Sequence, residues 1–86
     1  MNQICVRFLG NLEKLFSTER ICLNINEDKK CVRSSDLIRF LKNLYPSLYE
    51  VLDDVIIIYN RSSLDKESEI CEAEEDIILV PLMSGG

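Results

Sequence analysis

The chain closes on Glu75-Asp76-Ile77-Ile78-Leu79-Val80-Pro81-Leu82-Met83-Ser84-Gly85-Gly86, an apolar run that leads directly into two glycines on the terminal carboxyl group. Ile77 to Leu82 reads as a strand, and Pro81, which has no N–H to give a ladder, fits only its end or an unpaired edge. Glycine has no Cβ, so Gly85 and Gly86 can be threaded extended through a slot too narrow for any other residue. Ser84 is small enough to keep the tail slim. A carboxylate on such a tail is unhindered and can be delivered into another protein's active site. Four extended residues from Met83 would reach about 13 Å. The alternative is a frayed polar end, and the rest of the chain decides between the two.

Working back from the tail, Val55-Ile56-Ile57-Ile58-Tyr59 is a β-branched run apolar on both faces, which predicts a central strand covered by helix on at least one side. Asn60-Arg61-Ser62-Ser63 reads as the turn after it. Leu64 and Ile70 punctuate a polar segment that could hold a short edge strand, and Glu74-Glu75-Asp76 reads as a tight acidic turn. Before the central strand, Leu37, Ile38, Leu41, Leu44 and Tyr45 recur at helical spacing, with Ser34-Ser35-Asp36 as an N-cap and first-turn negative charge. Pro46 cannot continue that helix. Ser47 and Glu50 have the spacing of a capping box for a short second helix carrying Leu48, Val51 and Leu52.

At the N-terminal end, Gln3 to Leu9 alternates with Ile4, Val6 and Phe8 on one side, and Arg20 to Asn26 alternates again with Ile21, Leu23 and Ile25 inward. The two strands predict an antiparallel hairpin whose connection includes a helical turn at Leu12, Leu15 and Phe16. Asn26 to Arg33 reads as polar loop. Strand, strand, helix, strand, a possible short strand and strand make an α+β chain, with one main helix across a mixed sheet of four or five strands. That order is the β-grasp, or ubiquitin-like, arrangement, in which the first and last strands lie side by side at the centre. The tail then leaves from mid-sheet.

The chain has 86 residues, enough for one domain sharing a single core over residues 1–86 with a flexible tail at 83–86. Composition agrees, at 47% apolar and 29% charged. The longest apolar run is too short to span a bilayer, and Met1-Asn2-Gln3 lacks the basic start of a signal peptide, so a cytoplasmic location is expected. Ten basic and fifteen acidic residues give a net charge of −5, which disfavours nucleic acid and anionic membranes as partners. Seven carboxylates fall between Asp65 and Asp76 against the single Lys66, either a solvated loop face or a docking patch for a basic partner.

Solitary catalysis finds no footing. There is no histidine for a Ser-His or Cys-His pair, and three glycines in all cannot build a phosphate cradle. Asp53 and Asp54 are adjacent, and neighbours on an extended chain point to opposite sides, which counts against an acid and base pair. Cys5, Cys22, Cys31 and Cys71 match no zinc or iron-sulfur spacing, so no metal is expected and the four are read as reduced, buried or half-buried thiols.

These residues resemble the MoaD/ThiS sulfur-carrier family. The terminal segment from Glu75 to Gly86 is similar to the family's ending of Gly-Asp turn, apolar strand, proline pair and small residue before Gly-Gly, and Asn60 matches an asparagine common after the preceding apolar strand. Length, helix position and strand order resemble the small subunit of molybdopterin synthase more than the shorter thiamine carrier. Two positions depart: the usual Gly-Asp is Glu75-Asp76, and Leu82 stands for the second proline.

The resemblance implies a carrier whose working residue is Gly86. A ubiquitin-activating-enzyme-like adenylyltransferase of the MoeB type would join the Gly86 carboxylate to AMP using ATP, and a sulfurtransferase donor would replace AMP to leave a thiocarboxylate. The tail Pro81, Leu82, Met83, Ser84 and Gly85 would then enter a MoaE-like large subunit, in a heterotetramer, where the sulfur builds the dithiolene of the molybdenum cofactor. The exposed side of the sheet with Leu82 and Met83 would be the docking surface. No tightly bound cofactor is implied. Other readings stay open: a carrier for tRNA thiolation, thiamine synthesis or protein conjugation, as in ubiquitin-related and small archaeal modifiers, and a β-grasp binding module whose Gly-Gly is incidental.

Overall fold

Residues 3–24, 31–71 and 75–82 are described by the computed structural model. Alternation of apolar and polar residues sets the sheet. In β1 (Gln3–Phe8), Ile4, Val6 and Phe8 are buried while Gln3 and Arg7 are exposed. A short helix, α1 (Leu12–Phe16), turns the chain into β2 (Arg20–Asn24), which pairs antiparallel with β1 so that Ile4 faces Leu23 and Val6 faces Ile21. After β3 (Cys31–Arg33) come the main helix α2 (Ser34–Leu44), a 3₁₀ turn over Pro46–Leu48 and α3 (Tyr49–Asp53). The chain ends through β4 (Val55–Tyr59), β5 (Ser62–Leu64), β6 (Glu69–Cys71) and β7 (Ile77–Pro81).

The five-stranded sheet has the order β2-β1-β7-β4-β5, with β1 and β7 parallel at its centre, and β3 and β6 form a separate two-stranded ribbon. One face of the sheet carries the core. Leu12 and Phe16 of α1, Leu37 and Leu41 of α2, Leu52 of α3 and Ile70 of the ribbon join Ile4, Val6, Phe8, Leu23, Ile57, Ile77 and Leu79 in one buried cluster. Stacked rings continue it, with Phe8 and Phe16 at 4.2 Å between centroids and Tyr45 edge-on to Phe16 at 4.7 Å. Such burial, at roughly 25 cal/mol per Å² of apolar surface, is the main favourable term in a domain this small.

The expected β-grasp order is present, with four local differences. Residues 31–33, read as polar loop, form β3, because they pair with β6 some forty residues on, a partner that no local pattern reveals. The segment around Ile25 lies outside the described residues. Ser34 is inside the first turn of α2: its N–H donates to the Ser68 carbonyl at 2.9 Å, so backbone from the β5–β6 connection takes the place of a side-chain cap. The Ser47 and Glu50 capping box does not form either; Pro46 starts a 3₁₀ turn that feeds α3 without a capping side chain. Ser62 and Ser63 are strand, because Asn60 and Arg61, at φ 54° and 66°, complete the turn alone in the left-handed pairing that suits a two-residue hairpin.

The cysteines correct the expectation of free thiols. Cys5 and Cys22 are bonded across β1 and β2, and Cys31 and Cys71 across β3 and β6, each pair directly opposite in register with Cα atoms 3.9 and 4.2 Å apart. Cys22 and Cys71 are exposed and their partners half-buried. Residues directly opposite in an antiparallel pair put both Cβ atoms on one face, so the strand register aligns sulfurs that lie 17 and 40 residues apart in sequence.

Candidate functional site

β7 carries the C-terminal segment to one end of the sheet, and both of its neighbours hold it there. On one side Pro81 is paired with Val55, and the Leu82 N–H donates to the Asp54 carbonyl at 2.8 Å. On the other, the Leu9 N–H donates to the Leu79 carbonyl at 3.1 Å, one residue past the end of β1. Gly10 then turns away at φ +62°, a left-handed conformation that would strain any side chain, although a Cβ there would meet Pro81 Cγ only at an ordinary contact distance of 3.4 Å. Pro81 sits at the strand end, as its missing N–H requires. Met83, Ser84, Gly85 and Gly86 follow Leu82 in sequence and lie outside the described residues.

The sheet face turned away from the core is apolar along its middle. Ile78 and Val80 of β7 face Ile58 and Ile56 of β4, and all four are half-buried. In phase with them along the chain are Leu9, 41% exposed, and Leu82, 54% exposed. An unbroken stripe, Ile78, Val80 and Leu82, thus runs on one side of β7 up to the tail.

A charged corner bounds this stripe. Arg20 and Arg7 are directly opposite on β2 and β1, a like-charge pairing that would repel on its own. Asp76, just before β7, resolves it: Arg20 donates from Nε and Nη2 to the two carboxylate oxygens at 2.7 and 3.1 Å, and Arg7 stands at 3.6 Å. The forked hydrogen bonds from Arg20 hold the Asp76 carboxyl below its ordinary range, and the guanidinium of Arg20 is raised in turn. The sequence shows Asp76 in an acidic turn but not its partners, for which the alternation of β1 and β2, placing Arg7 and Arg20 on the outer face, is the available signal.

The remaining candidates are dispersed. Asp53 ends α3 in an ion pair with Lys42, whose ammonium also lies over the Tyr49 ring at 4.1 Å, whereas Asp54 contributes its carbonyl to Leu82. The Asp53 carboxylate is thus engaged by Lys42. The acidic run is partly neutralised from within, Glu67 and Glu69 by Arg33 and Asp76 by Arg20. Glu72 and Glu74 lie outside the described residues. No helix of the described residues is long and apolar enough to cross a membrane.

Strand order, central parallel pair and helix placement define a ubiquitin-like β-grasp protein. Over 99% of its length the chain is 23% identical to the molybdopterin synthase sulfur carrier subunit of Dictyostelium discoideum, 98% of which is covered. Among solved structures, a Pyrococcus furiosus protein assigned as molybdopterin converting factor, subunit 1, superposes with a TM-score of 0.77 at 18% identity, over 96% of this chain and all of that one. Small archaeal modifier protein 1 of Haloferax volcanii gives 0.75 at 12% identity, over 96% of this chain and 100% of its own. No protein-family model matches the chain.

Proposed function

We propose that this chain is a sulfur carrier, the small subunit of a molybdopterin synthase. The observation that carries the reading is the placement of β7: a central strand, gripped through Leu82, whose continuation in sequence is Met83-Ser84-Gly85-Gly86 beside an apolar outer face. Similarity to the Dictyostelium discoideum carrier subunit over nearly the whole of both chains supports it.

In this reading the Gly86 carboxylate attacks the α-phosphate of ATP in a MoeB-type partner, releasing pyrophosphate and forming an acyl-adenylate. The persulfide of a sulfurtransferase donor then attacks the acyl carbon as AMP leaves, a thiol cleaves the acyl disulfide to give a thiocarboxylate and a disulfide, and the carried sulfur passes to a pterin precursor in the large subunit. The partners supply every catalytic group. This chain supplies the sulfur, a tail slim enough to enter, and the stripe of Ile56, Ile58, Ile78, Val80 and Leu82 as the docking surface, which a large subunit would cover in a heterotetramer.

The test is the intact mass of the protein isolated from its own cells, together with a variant lacking Gly86. A mass increase equal to one oxygen-for-sulfur exchange at the C-terminus, absent from the truncated form, is expected. Normal cofactor levels in cells carrying only the truncated form would overturn the reading. Similarity to small archaeal modifier protein 1 favours a second reading, a modifier joined through Gly86 to lysines of other proteins. Isopeptide adducts would support that one, and co-purification with a large synthase subunit the first.

A further inference from the structure

The two cystine rungs look alike and have different neighbours. On the face shared by Cys5 and Cys22, the next rung is Arg7 opposite Arg20. On the face shared by Cys31 and Cys71, the next rung is Arg33 opposite Glu69. Glu69 lies two residues before Cys71 on β6, so the strand alternation turns its carboxylate to the same side as the sulfurs. The two Sγ atoms and a carboxylate oxygen of Glu69 all lie within 4.8 Å of one another. Glu69 and Cys71 are exposed and Cys31 half-buried, so the cluster is open to water.

We propose that Cys31, Cys71 and Glu69, once the disulfide is reduced, form a binding site for a thiophilic divalent cation of the zinc class. Two thiolates, one carboxylate and a water complete the four positions that such an ion takes, and its sulfur ligands sit about 3.8 Å apart when each is about 2.3 Å from the metal. Cross-strand cysteines reach that separation by side-chain rotation, without moving the strands. The Arg33 contact leaves Glu69 available, since at 4.0 Å between exposed groups it is a weak pair. Opening the bond needs a reductant: a dithiol that becomes a cyclic disulfide in the cell, or a phosphine at the bench, which takes an oxygen from water as the cystine gains two hydrogens. Metal binding then displaces the two thiol protons into solvent. The cation would tie β3 to β6 in place of the covalent bond and keep Ile70 against the core. Forty residues separate the two cysteines, which is why no ligand spacing appears in the sequence. The site is independent of the tail and of the carrier reading.

The experiment is a titration of the full chain, reduced with a phosphine, with Co²⁺ as probe and Zn²⁺ as competitor. One Co²⁺ per reduced chain is expected, with thiolate-to-cobalt charge-transfer absorption that Zn²⁺ abolishes and that the oxidised chain lacks. The double variant Cys5→Ser/Cys22→Ser should keep this signal, Cys31→Ser/Cys71→Ser should lose it, and Glu69→Gln should bind about tenfold more weakly or worse. If reduction unfolds the chain, one equivalent of Zn²⁺ should restore the folded circular dichroism spectrum. Absence of the charge-transfer band, its survival without Cys31 and Cys71, full affinity in Glu69→Gln, or no refolding on zinc addition would each overturn the proposal.

Discussion

On the helix-covered face of the sheet, Val6, Ile77 and Leu79 are 0% exposed; on the opposite face of the same central strands, Ile56, Ile58, Ile78 and Val80 are only half-buried, although the residue types are nearly the same. β-branched residues on the first face are explained by the core they fill. On the second they bring the monomer little beyond lateral packing, where a soluble sheet more usually alternates apolar with polar. The second face is therefore the apolar surface that the proposed carrier role would use, with Ile78 and Val80 leading along β7 toward Leu82.

One substitution on each face of β7 separates the two roles. Leu79→Ala should cost about 2–5 kcal/mol of stability, because a fully buried leucine leaves a cavity, whereas Ile78→Ala, its neighbour on the outer face, should cost about 1 kcal/mol or less. Urea denaturation of the two variants decides, and equal losses would mean that both faces are core. The outer face should matter next through its covalent staple. Replacing Cys5 and Cys22 by alanine should remove about 3 kcal/mol, the closure entropy of a loop of that size, read from the same transitions under oxidising conditions. A third variant tests the partner: Ile58→Asp should weaken capture of a large synthase subunit by about 2 kcal/mol or more, as for a central contact residue, while the melting temperature moves little. Unchanged affinity in a binding titration would leave the apolar stripe without a purpose.

The smallest effect is at the charged corner. Because Arg20 lowers the folded-state pKa of Asp76, the carboxylate contributes stability that is complete above the unfolded carboxylate range and is lost as pH falls through the lower folded value. Asp76→Asn should therefore reduce stability slightly at neutral pH and make the acid side of the stability profile flatter. Profiles of the two proteins that run parallel would show that the Arg20 pair contributes nothing. Its partial exposure keeps the effect small.

Much of this was legible in sequence. The period-2 pattern of β1 and β2, the helical stripe of α2, the two-sided apolar run of β4 and the apolar ending at β7 suffice for the strand order, because each element is long enough for its periodicity to show. Of the β3–β6 ribbon only a possible short strand in the segment with Leu64 and Ile70 was legible; β3 and its pairing were not, since three-residue strands have no period and find their partners only after the chain has folded back. The same holds for both disulfides: Cys31 meets Cys71 because of register, a property of the fold rather than of spacing. At the site, the apolar outer positions could be read from β4, but the grip on Leu82 by the Asp54 carbonyl is a backbone contact that carries no side-chain signature.

The parallel pairing of β1 with β7 has a mechanical consequence. Tension applied between the two chain ends pulls these adjacent strands in opposite directions along their length, so the bonds of Val6 to Phe8 with Ile77 to Leu79 are loaded together in shear and do not peel apart one by one. Force carried from one end of the chain to the other is therefore borne by the whole pairing at once. Single-molecule extension from both ends should show one high rupture force, and a low, stepwise response would contradict it.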